Sequence, residues 1–335
     1  MVVYKSTDAS APTLQGIVGG AVSSHNWADG SLLQVLRKCL VTGYGSGAQA
    51  SGAGWTQPYE GTSKGVFKQG AGCGFYLRVL DDGSATAGAK EGIIRGFETM
   101  SDVDTGLQAF PTTGQQATGL FVRKSDTADT TTRPWIVFAD SKTFYMFVQT
   151  GLVATVYTAG WMFGDFHSLR SGDAYNCAII ARASSSSIDT PANDKLDILG
   201  AQSGALSAQT ANYIARGYNQ QGGSVNCGKQ GGMFLAPAST TQPVGGSSTG
   251  LIFPNPTDGL FYVSRVYITD ASTNPSTSLR GWLRGFYSSQ HDGSKVPFDF
   301  TMSGTGTLAG KTLWILGSQS GNSGRYCMES SDTWD

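Results

Sequence analysis

The sequence has few charged residues and no excess of either sign. Asp, Glu, Lys and Arg make up 14% of its 335 residues, whereas soluble proteins average about 25%. The formal net charge is −1, so the chain lacks the basic field that attracts nucleic acid or an anionic membrane. We therefore expect neither as a partner.

Residues that build metal sites and disulfide frameworks are also scarce. The five cysteines are an odd number, lie far apart and form no Cys-x-x-Cys pair. They are predicted to be small buried hydrophobic residues, with no disulfide scaffold, metal or other cofactor. His25, His167 and His291 each lack a second His within helical or hairpin reach. Asp165 and Asp292 leave a hydrogen-bonded His–Asp pair open, but a catalytic histidine is not favoured.

Targeting and membrane segments are missing as well. Residues 1–16 contain no basic patch followed by an apolar core, so no secretory signal is predicted and the chain is expected to stay in the cytoplasm that makes it. Residues 143–164 carry no charge, which is long enough for a membrane helix. Their apolar residues are mainly β-branched or aromatic and are interrupted by Gly151 and Gly160, which favours two paired strands.

Glycine and aromatic residues are what the chain has in abundance. It contains 46 glycines, about twice the average share, and aromatics make up 11%. Short apolar runs alternate with Gly, Asp and Thr, a pattern typical of strands and tight turns. Strands are predicted at residues 75–80, 93–100, 119–124, 135–139, 144–148, 175–183, 260–269, 281–287 and 313–316. The fold class is therefore mainly β, with sandwich-like or barrel-like units and long Gly/Ser/Thr-rich loops.

One amphipathic helix is predicted near the N-terminus, over about residues 31–42. Its apolar residues follow a helical stripe from Leu32 to Leu40, Ser31 is the candidate N-cap, and Gly43 ends it. A second, short helix is possible at residues 205–216, and residues 237–250 have a loop composition.

The length exceeds what one core usually serves, so two β-rich units are predicted. The boundary is placed at the run of serines from Ser184 to Ser187. The predicted units are residues 1–183, which include the helix, and residues 184–335.

Two strings resemble catalytic or nucleotide-binding motifs but lack the secondary structure that those motifs require. Gly61 to Gly65 matches the G-x-S-x-G string of a hydrolase, which would make Ser63 the nucleophile, but a strand follows where that motif needs a helix. Gly310-Lys311-Thr312 resembles the end of a phosphate-binding loop and is likewise followed by a predicted strand. Neighbouring acids such as Asp81 and Asp82 are interpreted as turn formers. We predict no enzyme and no catalytic residue, and Ser63 remains a minor alternative.

The aromatic residues leave two interpretations open. Flat aromatic faces stack on sugar rings, and Trp55 and Trp161, both flanked by glycine, are the first candidates for contact with a glycan. The simpler interpretation places them in cores or subunit interfaces. Four Arg-Gly-aromatic triplets begin at Arg95, Arg216, Arg280 and Arg284, and strand packing explains them without a functional role.

Several strings along the chain are similar to one known group of proteins. They are residues 4–12, 43–45, 75–83, 95–100, 119–125, 133–140 and 279–285. Together they resemble a family of tailed-bacteriophage virion structural proteins, with the densest similarity before residue 183. The resemblance implies a component of the particle at the head-to-tail neck, the collar or the tail, and it carries no catalytic motif.

Composition and resemblance lead to one first hypothesis. The chain is expected to be a non-enzymatic virion protein that forms homo-oligomers and contacts other virion proteins, since low charge suits packed protein interfaces. It would reach the virion after synthesis in the bacterial host cytoplasm. The alternative hypothesis is a lectin-like carbohydrate-binding module on the virion surface.

Overall fold

The structure is a computed structural model of the chain. It describes residues 1–17, 27–82, 90–151, 158–183, 198, 210–231, 263–270, 278–289, 298–317, 325–330 and 334. The predicted loop at residues 237–250, the serines at 184–187, and His25, His291 and Asp292 lie outside these residues.

The predicted N-terminal helix is confirmed, with one irregular feature. Helix α1 spans Leu32–Arg37 and continues as a π-helical segment over Lys38–Thr42. The Ser31 side chain accepts a hydrogen bond from the backbone N–H of Gln34 at 3.1 Å, as an N-cap does. Gly43 ends the helix with a φ of 76°, a value that favours glycine.

Strands dominate the remainder, which confirms the mainly β prediction. The first twelve strands are β1 Val2–Lys5, β2 Thr56–Gly61, β3 Lys64–Lys68, β4 Tyr76–Leu80, β5 Glu91–Met100, β6 Gly106–Phe110, β7 Leu120–Arg123, β8 Trp135–Ala139, β9 Thr143–Gln149, β10 Thr158–Asp165, β11 His167–Ser168 and β12 Cys177–Arg182. The others are β13 Thr210–Ile214, β14 Val225–Gly231, β15 Val263–Asp270, β16 Ser278–Ser289, β17 Thr301–Ser303, β18 Thr312–Gly317 and β19 Arg325–Ser330. Within the uncharged stretch, residues 143–149 form β9 and residues 158–164 belong to β10, and these two strands pair antiparallel.

A first antiparallel sheet contains most strands before residue 183. Strands β2, β3, β4, β5 and β7 follow one another from one edge. Strands β1, β8, β9, β10 and β12 follow one another from the other edge, and the end of β12 meets β7. Strand β6 pairs with the part of β5 that β7 leaves unpaired, and β13 pairs with the side of β12 opposite β7 and β10. Asp140 forms the turn between β8 and β9, where its carboxylate accepts the N–H groups of Lys142 and Thr143 at 2.8 Å.

A second antiparallel sheet contains the later strands. Its order is β14, β15, β16, β19, β18 and β17, and β11 also pairs with β16. Strand β14 pairs with β13 as well, so it connects the two sheets.

Two large hydrophobic cores hold these layers together. Helix α1 and Trp27 cover one face of the first sheet. The opposite face of that sheet, with Phe138, Tyr145 and Ile180, packs against the second sheet through residues such as Phe286 and Met328. The ranges predicted as separate units thus share a core, and their division at residue 183 remains a prediction.

The short helix predicted at residues 205–216 is wrong for its described part. Residues 210–214 are strand β13, in register with β12 from Ala178 opposite Ile214 to Arg182 opposite Thr210. Thr210, Tyr213 and Ile214 are good strand formers, and pairing with an existing strand outweighs weak local helix preference.

The prediction that Asp81 serves as a simple turn former also needs correction. Its carboxylate is buried, accepts the N–H of Leu32 at the start of α1 at 2.7 Å, and pairs with Lys124 at 2.5 Å. Burial raises the pKa of Asp81, and the neighbouring Lys124 partly offsets that rise. Asp81 therefore ties the helix to strands β4 and β7.

Candidate functional site

The two tryptophans proposed for glycan contact are both in the core. Trp55 is 3% exposed and Trp161 is 1% exposed. The indole N–H of Trp55 donates to the carbonyl of Asp140 at 2.7 Å, and both rings pack edge-on against Phe144. Neither presents a face to a sugar ring, so the prediction that they contact a ligand is wrong, and the alternative interpretation as core residues is confirmed.

The two strings that resemble a nucleophile elbow and a phosphate-binding loop lie next to strands, as the sequence predicts. Ser63 is in the tight turn between strands β2 and β3, without the strand-to-helix junction that a nucleophile elbow requires. Lys311 precedes strand β18 and pairs with Glu329 at 2.7 Å. His167 is exposed in β11, whereas the nearby Asp165 carboxylate is buried and turned toward Gln69 and Cys73.

A polar cluster of Gln69, Cys73, Asp165 and Asn176 was not found from the sequence. The Asp165 carboxylate accepts hydrogen bonds from Gln69 Nε2 at 2.7 Å and from the backbone N–H of Cys73 at 3.2 Å. The Cys73 thiol donates to Asn176 Oδ1 at 3.1 Å. These bonds fasten the loop before β4 to the ends of β10 and β12.

Electrostatics argue against nucleophilic chemistry in this cluster. Burial raises the pKa of the Cys73 thiol, and the adjacent Asp165 raises it further. Burial also raises the pKa of Asp165, and the hydrogen bonds from Gln69 and Cys73 offset only part of that rise. A thiol that stays protonated at neutral pH is a weak nucleophile, so the cluster is structural.

The cysteines and acids offer no evident metal centre within the described ranges. No group of three or more His, Cys, Asp or Glu side chains there converges as a metal site requires. The five cysteines are free thiols; four are buried and Cys73 is half-buried. No described helix is long and apolar enough to cross a membrane.

The most unusual exposed region lies where β11, β15 and β16 meet. His167 is directly opposite Trp282 across the β11–β16 pair, and their rings stack at 3.9 Å with an interplanar angle of 15°. The Arg265 guanidinium, from β15 on the other side of β16, lies 3.9 Å from the Trp282 ring centroid. Such cation–π contacts are worth about 0.5–1 kcal/mol at exposed sites.

Exposed apolar residues continue this region. Leu169 is 53%, Leu279 46% and Tyr218 41% exposed. All three surround Arg280: the Leu169 N–H donates to its carbonyl at 2.9 Å, Leu279 precedes it in β16, and its guanidinium lies 5.6 Å from the Tyr218 ring. Arg170 lies 5.4 Å from the same ring. We refer to the group as the Arg280 surface; its members are Leu169, Arg170, Tyr218, Arg265, Leu279 and Trp282.

A buried ionic network supports this surface from below. The Arg280 guanidinium donates two hydrogen bonds of 2.9 Å to Asp173 and lies 3.7 Å from the Asp270 carboxylate. Burial acts to raise the pKa of Asp173, but hydrogen bonds from Arg280 and Ser168 outweigh it and hold that pKa below its usual range. The charged carboxylate fixes Arg280 and thereby the exposed side chains around it.

Tyr218 and Trp282 belong to two of the Arg-Gly-aromatic triplets, so the sequence does contain a signal for this surface. The signal is weak because the triplets at Arg95 and Arg284 do not belong to this surface. Their aromatic residues, Phe97 and Phe286, are buried in two different hydrophobic clusters. By contrast, Tyr218 is exposed and Trp282 is half-buried between His167 and Arg265.

Comparison with known proteins adds no assignment. No protein-family model matches the chain, and no curated protein matches it. The arrangement of the Arg280 surface is therefore the main guide to function.

Proposed function

We propose that this chain is a non-enzymatic structural subunit of a bacteriophage particle that assembles with copies of itself and with other virion proteins. The observation that carries the proposal is the Arg280 surface. Tyr, Trp and Arg are the residues most enriched at protein interfaces, and a cluster of exposed apolar side chains on a monomer indicates an interaction site. The sequence resemblance supports a place at the neck, collar or tail.

Self-association is tested directly on purified protein. Sedimentation velocity of the wild-type chain from about 1 to 100 µM should show a discrete oligomer. Replacing Leu169 and Leu279 together by serine should shift the distribution toward monomer, since it removes exposed apolar area that the interface would bury. Ile17→Ser is the matched control, because Ile17 is 42% exposed and its N–H donates to the carbonyl of Asp129, which is not part of this surface. A wild-type chain that is monomeric throughout contradicts the proposal of a homo-oligomer.

The virion role has a separate test. Peptide mass spectrometry of gradient-purified particles from the encoding phage should detect the chain at a copy number fixed relative to the other structural proteins. Its presence in the infected-cell lysate but not in the particles would contradict a virion role.

Carbohydrate binding is a second candidate, now supported by Tyr218 instead of Trp55 and Trp161. The Tyr218 ring is exposed next to the Arg170 guanidinium, and an aromatic face beside hydrogen-bond donors suits a sugar. A glycan array should then show binding that Tyr218→Ala abolishes and Phe300→Ala retains, since Phe300 is equally exposed at 40% elsewhere. An array without binding removes this candidate.

A further inference from the structure

Two arginines of the Arg280 surface have no carboxylate partner in the part of the chain that the structure describes. The Arg170 guanidinium lies over the Tyr218 ring and the Arg265 guanidinium over the Trp282 ring. A guanidinium group carries a positive charge in proteins. The surface therefore combines two available cations with an apolar centre.

This charge restricts the kind of partner. In a two-fold contact the same surface of both copies meets, which would bring the four arginines of two copies together and cause repulsion. A favourable partner instead has acidic residues next to exposed apolar ones.

The β5–β6 hairpin of this chain has those properties. Asp102 in its turn is exposed and, among the described residues, has no cationic partner, whereas the nearby Asp104 is paired with Lys64 at 2.7 Å. Leu107 in β6 is 69% exposed, more than any other large hydrophobic residue that the structure describes. Strand β6 pairs only with β5 in the described ranges. Gln108 on β6 lies beside Gly223, so the exposed Leu107 and the turn are the parts of the hairpin that a partner can contact. We call residues 100–107 the Asp102 hairpin.

We propose that the Asp102 hairpin of one copy docks on the Arg280 surface of the next copy. The negative charge of Asp102 faces the positive surface to which Arg170 and Arg265 both contribute, and Leu107 packs against the exposed side chains of Leu169 and Leu279. This inference rests on the proposed homo-oligomer and names the two surfaces that form it.

The proposal determines the type of assembly. The hairpin belongs to the first sheet, whereas Arg265, Leu279 and Trp282 of the Arg280 surface belong to the second, so each copy uses two different surfaces. Such head-to-tail contacts produce a closed ring if the rotation between copies closes, and a filament otherwise.

Charge reversal tests the assignment. Asp102→Lys and the double variant Arg170→Glu/Arg265→Glu should each weaken assembly about a hundredfold, because like charges then face each other across the contact. Asp299→Lys is the matched control, since Asp299 is an exposed acid outside the hairpin. Native mass spectrometry and sedimentation velocity report the oligomer, and circular dichroism confirms that each variant is folded.

Mixing the two reversed variants gives the decisive result. Each is expected to be monomeric alone, but an equimolar mixture restores complementary charge at every contact and should reassemble into alternating oligomers. Combining all three substitutions in one chain should restore the homo-oligomer too. If the wild type is oligomeric and the reversed variants assemble equally well, this pairing of surfaces is wrong while the homo-oligomer stands. Dissociation without rescue by mixing also overturns the pairing, because it shows that the two surfaces do not meet.

Discussion

Replacing Gly72 by alanine should destabilise the protein far more than replacing Gly74, although both glycines belong to the loop before β4. Their φ angles are 72° and 69°, so each alanine carries the same backbone cost of about 1–2 kcal/mol. A Cβ at Gly72 would overlap Oδ2 of Asp165, whereas no heavy atom of the described structure lies within 4 Å of a Cβ at Gly74. Only the Gly72 variant displaces the carboxylate.

The size of the difference follows from the bonds that Asp165 makes. Its displacement breaks the hydrogen bonds from Gln69 Nε2 and the Cys73 N–H, and each is worth about 1–1.5 kcal/mol. Gly72→Ala should therefore lower the free energy of unfolding by about 3–5 kcal/mol, and Gly74→Ala by about 1–2 kcal/mol. Urea denaturation followed by tryptophan fluorescence measures both, and an unchanged m-value shows that the denatured states are comparable.

A double-mutant cycle isolates the steric contribution. In an Asp165→Ala background the overlapping atom is gone, so Gly72→Ala should cost no more than Gly74→Ala does in the wild type. Equal losses for the two glycine variants in the wild-type background would refute the reasoning, since they would leave only the shared backbone cost.

Three further predictions concern buried charge and the thiols. Burial raises the pKa of Asp165. The contribution of this carboxyl group to stability is therefore complete below about pH 4 and is lost as pH rises through the raised pKa. Asp165→Asn should flatten this part of a pH–stability curve, and an unchanged slope would contradict the assignment. Arg280→Ala should destabilise by about 3–5 kcal/mol in urea, because it leaves the Asp173 and Asp270 carboxylates buried without their cation; a loss below about 1 kcal/mol would contradict this. At neutral pH, iodoacetamide should modify Cys73 at least about tenfold more slowly than it modifies free cysteine, because burial raises the pKa of the Cys73 thiol. Equal rates measured by mass spectrometry would contradict that expectation.

Strand prediction succeeded where the pattern is local. Residues 135–139 are strand β8 as predicted, and the predicted strands at 144–148 and 313–316 differ from β9 and β18 by one residue at each end. Dense apolar and β-branched runs bounded by Gly or Asp define such strands without help from the rest of the chain. Strand β13 was missed because its conformation depends on pairing with β12.

The candidate site was harder to predict than the fold. Trp55 and Trp161 were chosen because glycine flanks them, but flanking residues do not determine burial. The sequence likewise gives no sign that Asp165 meets Gln69, which is 96 residues away in the chain. Contacts at such separation depend on strand order, and strand order is a property of the whole sheet.

The sequence by itself determined the mainly β class, the helix at Leu32–Arg37 with its Ser31 cap, and the positions of nine of the nineteen described strands, because periodicity, capping and turn residues act over a few positions. The tertiary structure alone decided which aromatic rings are buried and which reach solvent. Trp161 and Trp282 are both strand residues with adjacent glycines, yet β10 lies inside the first sheet, where both faces are covered, whereas β16 exposes one face beside Arg265. The number of layers over a strand is set by how the sheets pack, and the glycine that precedes both tryptophans does not encode it.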